Sequence, residues 1–100
     1  MNKRQQVFNL LGLAQRAGRI VSGEDLVYTS VQDGKAKMVF LADDAGPNLS
    51  KKMMDKCHFY QVELCQDFSS IELSSAIGKS RKVLAVVDDG FTKKMRSLMH

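Results

Sequence analysis

Three pairs of adjacent acids, Glu24-Asp25, Asp43-Asp44 and Asp88-Asp89, sit in an otherwise basic chain that has no acidic residue before position 24. Paired carboxylates at the end of a strand can hold a divalent ion and accept a phosphoryl group. Inside a basic surface they have a second use, accepting hydrogen bonds from the amino groups of exposed nucleobases, which lysine and arginine cannot do. A third use is structural, because carboxylates at a helix start cap free N–H groups and complement the helix dipole.

Other chemistry has less to build on. The glycines at 12, 18, 23, 34, 46, 78 and 90 form neither of the two glycine-rich phosphate-cradling patterns. His58 and His100 lie in no local signature of a serine or cysteine nucleophile. Cys57 and Cys65, eight apart with only His58 nearby, match neither a metal-ligand spacing nor a disulfide scaffold, and read as reduced, partly buried residues. No catalytic residue, metal or cofactor is expected.

The 100 residues carry 15 Lys and Arg against 11 Asp and Glu, a net charge of +4. Lys3, Arg4, Arg16 and Arg19 face no acid in the first 23 residues, and further clusters are Lys35/Lys37, Lys51/Lys52/Lys56, Lys79/Arg81/Lys82 and Lys93/Lys94/Arg96. Such potential attracts polyanions and releases their counterions, although a charge of this size also serves solubility. An apolar content of 44% with 26% charged residues fits one small globular domain spanning residues 1–100. The basic N-terminus runs into an amphipathic segment rather than an apolar core, and no run approaches a membrane span, so a cytoplasmic location is expected.

The elements that must position these residues alternate. Residues 5–17 have a helical period carrying Val7, Leu11 and Ala14, closed by Gly18. Arg19 to Val21 is extended, after which Ser22 offers a hydroxyl cap to a second helix ending at Gly34, with Glu24 and Asp25 in its first turn. Lys37 to Ala42 is an apolar run of a doubly covered strand, and Asp43, Asp44 and Gly46 turn into a helix with Pro47 at its first position. Tyr60 to Cys65 is a strand, and Ser69 and Glu72 form the capping box of a helix stopping at Gly78. Val83 to Val87 is the fourth strand and Phe91 to Met99 a last basic helix. Strands too apolar to have a wet face, alternating with helices, predict an α/β fold, a three-layer α-β-α sandwich around a four-stranded mixed sheet.

The run Gly18-Arg-Ile-Val-Ser-Gly-Glu-Asp25, then Gly34-Lys-Ala-Lys-Met-Val-Phe-Leu-Ala-Asp-Asp44 and Pro47, resembles the kink-turn-binding ribosomal protein family of archaea and eukaryotes. It is most similar to that family's small bacterial branch, the YlxQ-type proteins, and the resemblance continues through Cys57, Val62 and Ala76-Ile-Gly-Lys79. It implies an α-β-α sandwich and non-catalytic binding to kink-turns, sharply bent RNA elements with sheared G·A pairs. It also implies contacts from Gly23 to Thr29 and from Gly78 to Lys82. Where the family usually reads Gly-x-Asn-Glu with a lysine three residues beyond the Glu, this chain has Asp25, Leu26 and Thr29 at the Asn, Glu and Lys positions.

The expected function is thus non-catalytic RNA binding, by Arg19, Ser22, Gly23, Glu24, Asp25, Leu26, Thr29, Lys37, Gly78, Lys79, Ser80, Arg81 and Lys82. The expected partner is ribosomal or other structured RNA, with the ribosome as a setting and neither a membrane nor a small-molecule substrate involved. Two alternatives remain: a metal-dependent phosphoryl-accepting domain built on Asp43, Asp44 and Asp88, and a protein-interaction module that keeps the fold. The RNA reading requires the Gly23 segment and the Lys79 loop to be neighbours in space.

Overall fold

The computed structural model describes residues 1–99, and His100 lies outside the described residues. Five helices alternate with four strands: α1 (Lys3–Arg16), β1 (Ile20–Ser22), α2 (Glu24–Gln32), β2 (Met38–Leu41), α3 (Pro47–Phe59), β3 (Glu63–Cys65), α4 (Ser70–Ile77), β4 (Val83–Val86) and α5 (Asp89–Met99). The sheet order is β1-β4-β2-β3, with β4 antiparallel to both neighbours and β2 parallel to β3. This is the expected mixed sheet.

The two central strands show why both faces are covered. Every residue of β2 and β4 is buried, and strand alternation sends their side chains to opposite sides. Met38, Phe40, Leu84 and Val86 pack with Val7, Leu11 and Ala14 of α1, Leu73 and Ile77 of α4, and Met95 of α5. Val39, Leu41, Val83 and Ala85 pack with Val27 and Val31 of α2 and Met53 and Cys57 of α3. Three helices therefore cover one face and two the other, completing the sandwich.

Several ends are set locally, as expected. Pro47 opens α3. Ser69 and Glu72 make a reciprocal capping box at α4, which closes on Gly78 in the left-handed region at φ 74°. The differences have local causes. Asn2 caps α1 through its side chain, starting that helix earlier than its apolar period implies. Helix α3 runs to Phe59 and Gln61 adopts φ 57°, so the residues from Tyr60 make a turn and β3 begins only at Glu63. Helix α5 starts at Asp89, because the Asp88 carboxylate accepts a hydrogen bond from the Phe91 backbone N–H at 2.8 Å.

Cys57 and Cys65 are free and buried in the cores on opposite faces of the sheet, which keeps them from pairing. Burial pushes each thiol up to about 11. Both should thus react slowly with a disulfide reagent at pH 8 in the folded protein and rapidly after unfolding. The sign for stability follows from linkage: the unfolded chain loses these protons first, so stability should fall as pH rises from about 9 toward 11. A denaturation midpoint unchanged over that window in the native chain, compared with a Cys57→Ala/Cys65→Ala chain, would contradict this.

Candidate functional site

The antiparallel placement of β4 between β1 and β2 decides which sequence-distant residues meet. The chain leaves β1, leaves β2 and enters β4 at one end of the sheet. There the Gly23 N–H donates to the Val83 carbonyl at 3.0 Å and the Ala42 N–H to the Lys82 carbonyl at 2.8 Å. The start of α2 and the loop from Gly78 to Lys82 are thereby neighbours.

Arg81 forms the joint. Its Nε donates to Ser22 Oγ at 3.1 Å, and one terminal nitrogen donates to the Ser80 carbonyl at 2.8 Å. A Cβ built on Gly23 would lie 3.7 Å from Arg81 Nε, so the guanidinium edge runs alongside the glycine. Ser22 is therefore a residue of β1 that receives Arg81, and does not cap α2. The N-cap is Gly23, at φ 95° and ψ 154°, with no side-chain cap. That region of backbone space is essentially reserved for glycine. The first N–H groups of α2 thus have no hydroxyl in front of them, which leaves a helix N-terminus available to an anion or an oxygen acceptor.

Ser74 fixes the other side of the joint. Its hydroxyl accepts from the Arg81 N–H at 2.9 Å and donates to the Arg81 carbonyl at 3.0 Å, so the loop is held by its backbone whatever the side chain does. A shallow groove of about 250 Å³ runs along it, lined by Ser70, Ile71, Ser74, Ser80, Arg81 and Lys82. Ile71 is 79% exposed at its rim. Sequence reasoning missed Ser70, Ile71 and Ser74, and no local pattern signals them, because their role depends on a loop that returns after the helix.

Of the site residues expected from sequence, Ser22 and Gly23 meet Arg81 directly, Glu24, Asp25, Leu26 and Thr29 follow on α2, and Gly78, Lys79, Ser80, Arg81 and Lys82 form the loop beside the start of that helix. Asp25, Thr29, Lys79, Ser80 and Lys82 are exposed, and Leu26 is 62% exposed. Arg19 and Lys37 are not brought there. The Arg19 carbonyl accepts from the Val87 N–H at 2.9 Å, and the Lys37 N–H donates to the Val86 carbonyl at 2.8 Å. Both therefore belong to the opposite end of β4, roughly 13 Å of strand away. Lys37 Nζ donates to the Gly34 carbonyl at 3.3 Å, and Arg19 Nε is 3.7 Å from Asp88 Oδ1.

The same topology separates the acids proposed for metal binding. Asp43 and Asp44 follow β2 at the Lys82 end, whereas Asp88 follows β4 at the other, about 20 Å away along an extended chain. Convergence would need β2 and β4 to be parallel, and they are antiparallel. The Asp44 carboxylate is engaged with helix α4: the Ser70 backbone N–H donates to it at 2.9 Å and the Ser70 hydroxyl at 3.0 Å. Those two donors, with a smaller pull from Lys82, hold it below the usual carboxylate range. Among the described residues, no three His, Cys, Asp or Glu side chains gather at one point.

Glu24 also has a partner that its sequence position does not reveal. Its Oε2 lies 2.8 Å from Lys52 Nζ on α3, and that hydrogen bond is the first cause holding the Lys52 ammonium above its ordinary range. Asp25 is the acid of the first turn that remains turned outward.

Residues 5–96 match the pattern of the ribosomal protein L7Ae/L30e/S12e/Gadd45 family. The chain belongs to that family. A protein of Enterococcus faecium, RNA-binding protein YlxQ, is 46% identical over 96 residues, covering 96% of this chain and 93% of its own length. The protein of the same name in Bacillus subtilis (strain 168) is 47% identical over 93 residues, covering 92% and 93%. Among solved structures, a Bacillus halodurans protein described as of unknown function is 40% identical with a TM-score of 0.89, covering 94% of this chain and 96% of that one. The Giardia lamblia 15.5kD RNA binding protein, at 20% identity and a TM-score of 0.79 over 96% of this chain and 89% of that one, shares the fold. The family relation covers both β1–α2 and the Gly78 to Lys82 loop. Among the described residues, no helix is long and apolar enough to cross a membrane.

Proposed function

We propose that this family member is a non-catalytic, cytoplasmic RNA-binding protein whose interface is the ledge formed by the start of α2 and the Gly78 to Lys82 loop. The observation that carries this reading is the pairing of Gly23 with Arg81, which sets an uncapped helix N-terminus beside a basic loop. The names of the two bacterial relatives support it.

In this reading the free N–H groups of α2 donate to RNA oxygens, and Lys79, Arg81 and Lys82 neutralise phosphates. Asp25 accepts from base amino groups, while Leu26, at the position where the family usually has Glu, presents an apolar surface. Gly78 lets the loop approach a backbone closely. Regular A-form duplex buries its base edges in a deep groove, so the ligand is a bent or looped element that exposes them, of the kink-turn kind, in ribosomal or another structured RNA.

Fluorescence anisotropy with a labelled kink-turn RNA and a straight duplex of equal length tests this at fixed salt. Binding to the kink-turn should be at least about tenfold tighter, the discrimination expected from one well-formed base contact. Equal, weak binding to both would refute the kink-turn choice. No binding to either, together with a bound protein partner recovered through the same ledge, would favour the interaction-module alternative.

A further inference from the structure

Helices α2 and α3 run in the same direction down one face of the sheet, since Glu24 meets Lys52 and, one turn further along each helix, Tyr28 meets Lys56. The seam between them leads away from the ledge. In order it carries Lys52, Tyr28, Lys56 and Tyr60, with Phe59 beside the last, over about 12 Å of helix. Lys52 Nζ lies 4.6 Å from the Tyr28 ring centroid, Lys56 Nζ lies 3.9 Å from it, and Lys56 Nζ is 5.0 Å from the Tyr60 ring. Phe59 and Tyr60 meet edge to face at 4.9 Å and 77°. Together with Asp55 these residues line an open groove of about 410 Å³.

Two features of this seam are open to an outside partner. Phe59 is 76% exposed and Tyr60 38% exposed, so one ring is left largely in water, with part of a second beside it, at the end of a helix. Lys51 is paired with Asp55 at 3.1 Å and Lys52 with Glu24 at 2.8 Å, whereas Lys56 is held over ring faces and has no carboxylate partner among the described residues. An ammonium held by π faces keeps its full charge for an outside anion. Half-exposed rings alternating with ammonium groups along a groove, with an exposed ring at its end, have the composition of a surface for unpaired nucleotides: bases stack on the rings and phosphates meet the lysines. A protein-binding hot spot would bury its rings behind a rim and is depleted in lysine.

We infer that the seam of Lys52, Tyr28, Lys56, Phe59 and Tyr60 is a stacking platform for one or two unpaired nucleotides that continue from the RNA held on the ledge. It rests on the proposed RNA reading and adds a second subsite to it, reached by single-stranded RNA leaving the bent element.

The test uses the full chain and two labelled RNAs, a blunt kink-turn and the same kink-turn with a six-uridine single-stranded extension, with both strands tried as the carrier. The extension on one strand should tighten binding by about tenfold, the increment expected of one stacked base. Phe59→Ala and Lys56→Gln should each remove most of that increment and leave the blunt RNA's affinity unchanged. Phe59 is exposed, so the first variant keeps its fold, and an unchanged thermal melt verifies it. An extension that adds nothing on either strand overturns the platform while leaving the ledge standing, as does an increment that survives both variants. Loss of blunt and extended binding alike to Phe59→Ala overturns it as well. Absence of all RNA binding defeats the ledge and the platform together. A chain that sediments as a dimer, and as a monomer after Phe59→Ala, shows the rings to be a self-association surface and overturns the inference.

Discussion

Reversing Lys79 and Arg81 to Glu should lower RNA affinity about a hundredfold at 0.1 M salt and flatten the dependence of affinity on salt concentration. Each phosphate contact releases a counterion and contributes roughly 0.9 to the slope of log affinity against log salt, so losing two contacts should reduce the slope by about two. The reversed charges then add repulsion at the same place. The loop should survive the change, because Ser74 holds Arg81 through its backbone N–H and carbonyl and not through the guanidinium. Reversing Arg19 and Lys37 instead, at the other end of β4, should leave the affinity for a short kink-turn within about twofold, since exposed charges beyond a Debye length are screened. A wild-type slope in the Lys79→Glu/Arg81→Glu chain, with a normal melt, would remove this loop from the interface. Equal losses from the two pairs would show attraction to net charge without a localised site.

Gly23→Ala should cost stability and binding together. Gly23 holds φ 95° and ψ 154°, a conformation closed to side-chain-bearing residues at a cost of about 1–3 kcal/mol. The added methyl itself meets only Arg81 Nε at 3.7 Å and Cδ at 3.9 Å, ordinary contacts, so the penalty comes from the backbone and not from a clash. For a chain of this size the melting temperature should fall by about 5–15 °C. Relief of the strain by rotation would turn the first N–H groups of α2 away from the ledge, and affinity should drop even where the protein remains folded. Gly46→Ala is the control: it stands at the head of α3 with φ −61° and open space around it, and should change the melt little. A melt of Gly23→Ala within a degree or two of the parent would show that the α2 entry relaxes freely, and would undercut the pre-set N-terminus on which the ledge depends.

Legibility of the fold from sequence followed the range of the interactions involved. The capping box of Ser69 and Glu72, Pro47 at the head of α3 and Gly78 at the end of α4 were readable because each involves neighbours within a turn. Missed boundaries had equally local but weaker causes, such as the Asn2 cap and the positive φ of Gln61. Ser22 was misassigned for a different reason. A hydroxyl before a helix suits a cap, and only the return of Arg81 from the far side of the chain makes it a hydrogen-bond acceptor instead.

The candidate site divides along the same line. The residue types were legible: a glycine followed by acids at a helix start, and a glycine followed by Lys79, Ser80, Arg81 and Lys82. Their surroundings were not. Glu24 reads as an open acceptor until Lys52 is seen beside it, and Asp44 as a ligand or a cap for the next helix until Ser70 of α4 is found in its grasp.

By itself the sequence determined the order of helices and strands, the two-sided burial of β2 and β4, and the resemblance that pointed to the family. Hydrophobic period and turn chemistry act over a few residues and are written locally. Tertiary structure alone decided that β4 runs antiparallel between β1 and β2. That one direction joins Gly23 to Arg81, sends Arg19 and Lys37 to the other end and parts Asp44 from Asp88. Strand direction is selected by the packing of both cores at once, an interaction among residues far apart in the chain that no local pattern encodes.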